Sequence, residues 1–202
     1  MWSLTNLKRR RPVHDKCQAL PVFLDFKSTA IIPARNEEFA ARDHFVEDTS
    51  ASAKVKISHL GVGFRLRFIE DGGKVEQPSG SIALCSHRLL TESIDIDIIS
   101  TLGGEDHVET TLWGVFSLME KQPTGKSGDL TINNQLKNIF YIPDRHGVLC
   151  AVLASWYNPG WFIGAVDLTR VYDRRNRWGL ENQVFSRADN FTPAYGRCPS
   201  MG

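Results

Sequence analysis

The chain has 202 residues, 42% of them hydrophobic and 23% charged, with a formal net charge of +1. The apolar share suffices for a buried core and argues against global disorder. The near-neutral balance excludes steering of polyanions by the molecule as a whole. Residues 1–16 nevertheless hold five cations, Lys8, Arg9, Arg10, Arg11 and Lys16, against Asp15. That stretch reads as a flexible basic tail. Two short β-prone runs follow, 22–26 and 29–32, the second stopped by Pro33. Asn36 with Glu37 and Glu38 resembles an N-cap with acids in the first turn and predicts a short helix over 37–46. In 54–60, Val55, Ile57 and His59 alternate with Lys56 and Ser58. In 64–68, Phe64, Leu66 and Phe68 alternate with Arg65 and Arg67. Each run predicts a half-buried strand, with Gly61 and Gly63 between them; a helix through 64–70 is the alternative for the second. A turn at 71–73 and a loop at 77–80 lead to a strand over 82–90.

Two helices are predicted next. The first covers 92–102 and ends at Gly103, although the alternation in 93–99 keeps a strand as the competing reading. The second covers 105–121. Glu105, Asp106 and Glu109 fill its first turn, Val108, Leu112, Val115, Phe116 and Met119 recur at helical spacing, and Pro123 follows its end. After a polar loop, 138–168 predicts three strands turned at 144–147 and 158–160. Both faces of the middle strand are apolar, which places it centrally in a sheet.

The chemical signatures are incomplete. Thr124-Gly125-Lys126-Ser127 resembles the end of a phosphate-binding loop, but Glu120 stands where the motif needs glycine, and a helix precedes it rather than a strand. His107-x-Glu109 lacks the P-C-x-x-C partner of a zinc deaminase. Asp95 and Asp97 share a face if their stretch is a strand, and paired acids hold Mg²⁺ or serve acid–base chemistry. The six histidines are scattered. Cys150 with His59 or His87 is a formal nucleophile–base pair; a small core cysteine is the simpler reading. Cys17, Cys85, Cys150 and Cys198 show no zinc-type spacing, so reduced thiols in a cytoplasmic protein are expected. No window approaches the roughly 18 apolar residues of a membrane span, and no signal sequence is recognised. Over 170–187, Arg170, Arg174, Arg175, Arg177 and Arg187 interleave with Tyr172, Trp178 and Phe185, a composition able to meet phosphates and stack bases. The plainer reading packs the aromatics on the sheet and leaves the arginines in water.

Five segments in order, HFVEDTSASAKVKISHLGVGF (44–64), LGGEDHVETTLWGVFSLMEKQPTGKSGDL (102–130), NIFYIPDRHGVL (138–149), GWFIGAVDL (160–168) and RWGLENQVFSR (177–187), are similar to a group of uncharacterised small proteins of candidate-phylum bacteria with reduced genomes. The resemblance spans most of 44–187. It implies a bacterial protein with the same whole-domain layout and carries no activity, cofactor or catalytic residue with it.

The expectation is therefore an α+β domain over 17–190, flanked by tails at 1–16 and 191–202. An antiparallel sheet with a C-terminal three-strand meander should pack against one or two helices. Val108, Leu112, Val115, Phe116 and Met119 should face Phe140, Leu149, Leu153 and Phe162. The expected function is a non-enzymatic binding module whose partner is a nucleic acid or a protein, not a membrane. Its contact surface is placed at Trp161, Arg174, Arg175, Arg177 and Trp178. No cofactor and no metal site are predicted. The alternative is a metal-dependent hydrolase or nuclease using Asp95, Asp97 and a histidine.

Overall fold

Alternating apolar residues and turn glycines organise the fold around one seven-stranded sheet. The computed structural model describes residues 23–168 and 177–188. The chain runs β1 (Leu24–Ile32), β2 (Phe39–Ala40), α1 (Ala41–His44), β3 (Ile57–Leu60), α2 (Val62–Phe64), a π-helical turn (Arg65–Ile69), β4 (Val75–Glu76), β5 (Ile82–Leu89), α3 (Asp95–Thr101), α4 (Glu105–Val108), α5 (Leu112–Glu120), β6 (Asn138–Pro143), β7 (Leu149–Tyr157), β8 (Gly160–Asp167) and β9 (Gln183–Arg187). The tails expected at 1–16 and 191–202 fall outside the described residues. Seven strands form one sheet in the order β1-β5-β9-β6-β7-β8-β3, and β2 with β4 forms a separate ribbon. Pairing is antiparallel except for β6 with β9 and β3 with β8. The fold is α+β, with a mostly antiparallel sheet and few helices.

The two-residue period of the strands sorts side chains onto two apolar faces. On one, Leu84, Phe140, Ile142, Cys150, Val152, Trp161, Ile163 and Phe185 are buried with Phe39, Phe45, Phe64, Phe68 and the α5 residues. Phe140 and Phe185 stack across β6 and β9 at 4.4 Å. On the other, Leu89, Ile139, Tyr141, Ala151 and Val184 meet Ile98, Leu102 and Val108 of the α3–α4 layer. Each buried side chain of this size contributes roughly 1.5–3 kcal/mol. The predicted single contact surface is thus divided. Leu112, Val115, Phe116 and Met119 lie with Phe140, whereas Val108, Leu149 and Leu153 belong to the opposite face.

That division follows from a break in the predicted 105–121 helix. Thr110 N–H donates to Tyr141 O at 2.7 Å, and Glu109 bridges to Tyr141, so the chain between α4 and α5 runs against β6. Thr111 then caps α5, its hydroxyl accepting from Gly114 N–H at 3.0 Å. A second cap comes from far away in sequence. The Glu76 carboxylate accepts Leu112 N–H at 2.7 Å and Trp113 N–H at 2.9 Å.

Other segments differ from expectation. The predicted helix over 37–46 is strand β2 followed by the single turn α1. The strand predicted through 64–68 is helical. Phe64 and Phe68, four residues apart, stack at 5.1 Å inside the core while Leu66 is exposed. Gly63 makes this possible, because a Cβ there would lie 2.3 Å from Ala165 O of β8. Residues 95–101 take the helical form of their two readings, with Gly103 at φ +101° beyond the end. Strand β9 lies inside the segment read only as a basic-aromatic stretch.

Candidate functional site

Among the described residues of the predicted contact surface, Trp161 is not at the surface. Trp161 is 0% exposed and packs against Trp156 at 5.3 Å, so it is a core residue. Its β8 position points it toward the α5 side of the sheet. Trp178 is half-buried, and its indole N–H donates to Asp95 at 2.6 Å. Arg177 is exposed, and Arg174 and Arg175 fall outside the described residues.

The acidic pair does not converge either. Helical residues 95 and 97 do not share a face. Asp95 is buried at the start of α3 and also accepts Tyr141 O–H at 2.8 Å; Asp97 is exposed. Burial raises the Asp95 carboxyl above its ordinary range, against the pull of its two neutral donors. Among the described residues no group of three or more His, Cys, Asp or Glu could hold a metal ion. The Cys150 thiol is buried and pushed up to about 11, so it is a poor nucleophile. Gly125 of the TGKS sequence has φ +67°, and a Cβ there would fall 2.1 Å from the Trp156 ring. That loop is therefore held against the core after α5, unlike a phosphate loop between a strand and a helix.

A different constellation lies on the outer part of the sheet, where β7, β8 and β3 adjoin. Parallel pairing sets Ile57 beside Trp161 and His59 beside Phe162, with a bulge between Ile57 and His59. The bulge re-aims the side chains. Ile57 and Leu60 go inward, and His59, expected on the same side as Ile57, goes out with its side chain 60% exposed. Its ring stacks on Phe162 at 5.7 Å and 26°. The Phe162 ring lies flat because glycines leave space beneath it: Cβ atoms at Gly164 and Gly61 would come within 3.0 and 3.3 Å of it. Tyr157, at the end of β7, meets Phe162 edge-on at 6.2 Å and 85°. Lys137, just before β6, donates to Tyr157 Oη at 2.8 Å, and its ammonium lies 5.2 Å from that ring's centre. Its backbone is anchored where its N–H donates to Asn182 Oδ1 at 2.7 Å and its carbonyl accepts from Gln183.

Ser58, His59, Lys137, Tyr157 and Phe162 line an open groove of about 460 Å³ with mostly apolar walls. Ser58 is no nucleophile here, since its hydroxyl is directed at the Gly160 and Trp161 carbonyls. On the far side, Glu47 Oε1 accepts Leu60 N–H and Arg65 at 2.6 Å each, and lies 3.3 Å from His59 Nδ1. The Leu60 N–H bond, followed by Arg65, holds the Glu47 carboxyl below its ordinary range. Glu47 orients the imidazole by one nitrogen and leaves its outer ring face exposed.

Sequence reasoning missed this shelf because its residues come from three separate segments. One signal was available: Phe162 is the large side chain out of phase with Trp161 and Ile163. No protein-family model matches the chain, and neither does any curated protein or solved structure compared with it. No helix among the described residues is long and apolar enough to cross a membrane.

Proposed function

We propose that the protein is a non-enzymatic binding module and that the His59–Phe162–Tyr157–Lys137 shelf is its contact surface for a planar group. The observation that carries this reading is the stacked His59–Phe162 pair standing open in a groove beside a cation. The His59 side chain is 60% exposed and Phe162 half-buried, so the pair keeps surface on which a further ring can stack. An added ring gains stacking and loses apolar contact with solvent, while the polar rim orients it. In this reading β6, β7 and β8 form a meander that supports the shelf, with β8 supplying Phe162 and the end of β7 supplying Tyr157. The hydrolase alternative finds less support, because Asp95 is committed to Tyr141 and Trp178.

Two small probes test the reading, adenosine and N-acetyl-tryptophanamide, titrated into isotope-labelled protein. The expected result is saturable NMR shift changes at His59, Tyr157 and Phe162 that vanish in His59→Ala/Tyr157→Ala. Changes confined to other residues, or unaltered in the double variant, would refute it.

A further inference from the structure

We infer that the shelf takes single-stranded nucleic acid, with unpaired bases on its rings and a backbone phosphate at Lys137; this rests on the reading of the shelf as a planar-group site. Three rings follow one another across neighbouring strands, His59 to Phe162 at 5.7 Å and Phe162 to Tyr157 at 6.2 Å. Two of the rings, His59 and Tyr157, are exposed and Phe162 between them is half-buried; a sheet surface of this kind is a stacking platform for bases, and base faces are free to stack only when the strand is unpaired.

The charge at the rim selects the polymer. Lys137 forms no ion pair among the described residues; its side chain meets Tyr157, through the hydroxyl and the ring face. An ammonium held by an arene keeps its charge available to an incoming anion, whereas one held by a carboxylate does not. The cation therefore stands beside the place where a base would lie, as a nucleotide's phosphate requires. Behind His59, Glu47 accepts from Leu60 N–H and Arg65 and lies 3.3 Å from the His59 Nδ1. A neutral proline-rich peptide also suits aromatic-lined grooves, but it has no charge to match Lys137.

The test uses the full chain and fluorescence anisotropy with labelled twelve-residue probes: oligo(dA), oligo(rA), a mixed-sequence duplex and a neutral proline-rich peptide. Single strands are expected to bind more tightly than duplex and peptide, with affinity falling as salt rises. His59→Ala/Tyr157→Ala should weaken single-strand binding at least about tenfold without changing the melting curve, since stacking supplies most of each contact. Lys137→Gln should reduce the slope of log affinity against log salt by about 0.7, one phosphate's share for a single strand. Equal binding of duplex, tighter binding of the peptide, or single-strand binding that survives in the double variant overturns the inference. The last outcome would place the contact elsewhere, for example on the cations of residues 1–16. If oligonucleotides fail while adenosine and N-acetyl-tryptophanamide still perturb the shelf, nucleic acid falls and the planar-group reading stands. If both classes fail, both are wrong.

Discussion

Replacing Glu76 tests whether a two-residue strand holds the main buried helix in place. Glu76 pairs with Phe39 in the β2–β4 ribbon, and each of its carboxylate oxygens takes one N–H from the first turn of α5. Glu76→Ala removes both acceptors and leaves two amides without partners in a largely dry site. Hydrogen bonds to a charged group are worth about 1.5–3 kcal/mol each. Burial offsets part of this, since it raises the Glu76 carboxyl above its ordinary range despite the Trp113 and Leu112 bonds. The net loss should be about 2–4 kcal/mol, in the range of strong helix caps and above. Glu76→Gln keeps one accepting oxygen but turns an NH₂ toward the other N–H, and should cost roughly half as much. Urea denaturation followed by far-UV circular dichroism gives both values, and an unchanged slope would show that the unfolded state is not altered. At roughly 2–4 °C per kcal/mol for a chain of this size, Glu76→Ala should lower the melting temperature by several degrees or more. A Glu76→Ala protein within 0.5 kcal/mol of wild type would show that α5 does not depend on this cap.

Three further outcomes follow from the described geometry. Asp95→Asn retains an oxygen for Tyr141 and Trp178 while removing a buried charge, so at pH 8 its stability should equal or exceed wild type, whereas Asp95→Ala should lose about 2–3 kcal/mol; a large loss in Asp95→Asn would mean that the charge itself stabilises the fold. His87 is buried and burial pushes its imidazole down to about 4, so the folded state resists a proton that the unfolded chain accepts near 6.5. Its contribution is intact above 6.5 and is lost as pH falls toward 4. Between pH 6.5 and 5, wild type should lose about 1.5 kcal/mol more than His87→Phe in chemical denaturation, and parallel pH curves would contradict this. Gly63→Ala should destabilise the protein although alanine favours helices, because its methyl would meet Ala165 O; a melting temperature equal to or above wild type would refute the tight α2–β8 packing.

Much of the secondary structure was legible because it is local. The strand predicted over 82–90 is β5, and the helical spacing of Leu112, Val115, Phe116 and Met119 marks α5. Short runs were less readable. Phe64, Leu66 and Phe68 fit a strand's period, but Phe64 and Phe68 also fit one helical turn, and burial against β8 decides between them. The predicted contact surface misplaced Trp161 because a tryptophan beside a turn looks exposed until strand register is known. The shelf could not be read at all. His59 faces outward only through a bulge opposite β8, and β3 reaches β8 across about a hundred residues. Lys137 and Tyr157 are likewise joined only through the sheet.

The position of β9 bears on how the chain is made. It is the last of the described strands, yet it lies between β5 and β6 in the interior of the sheet. A growing polypeptide that has emerged only through β8 therefore holds two incomplete parts of the sheet, β1 with β5 and β6-β7-β8-β3, each presenting an unmatched border that β9 is meant to fill. Assembly must wait for the closing ribbon, and such borders are where nascent chains pair with the wrong neighbour. A ribosome stalled after residue 168 would carry two sticky fragments instead of a nearly finished protein.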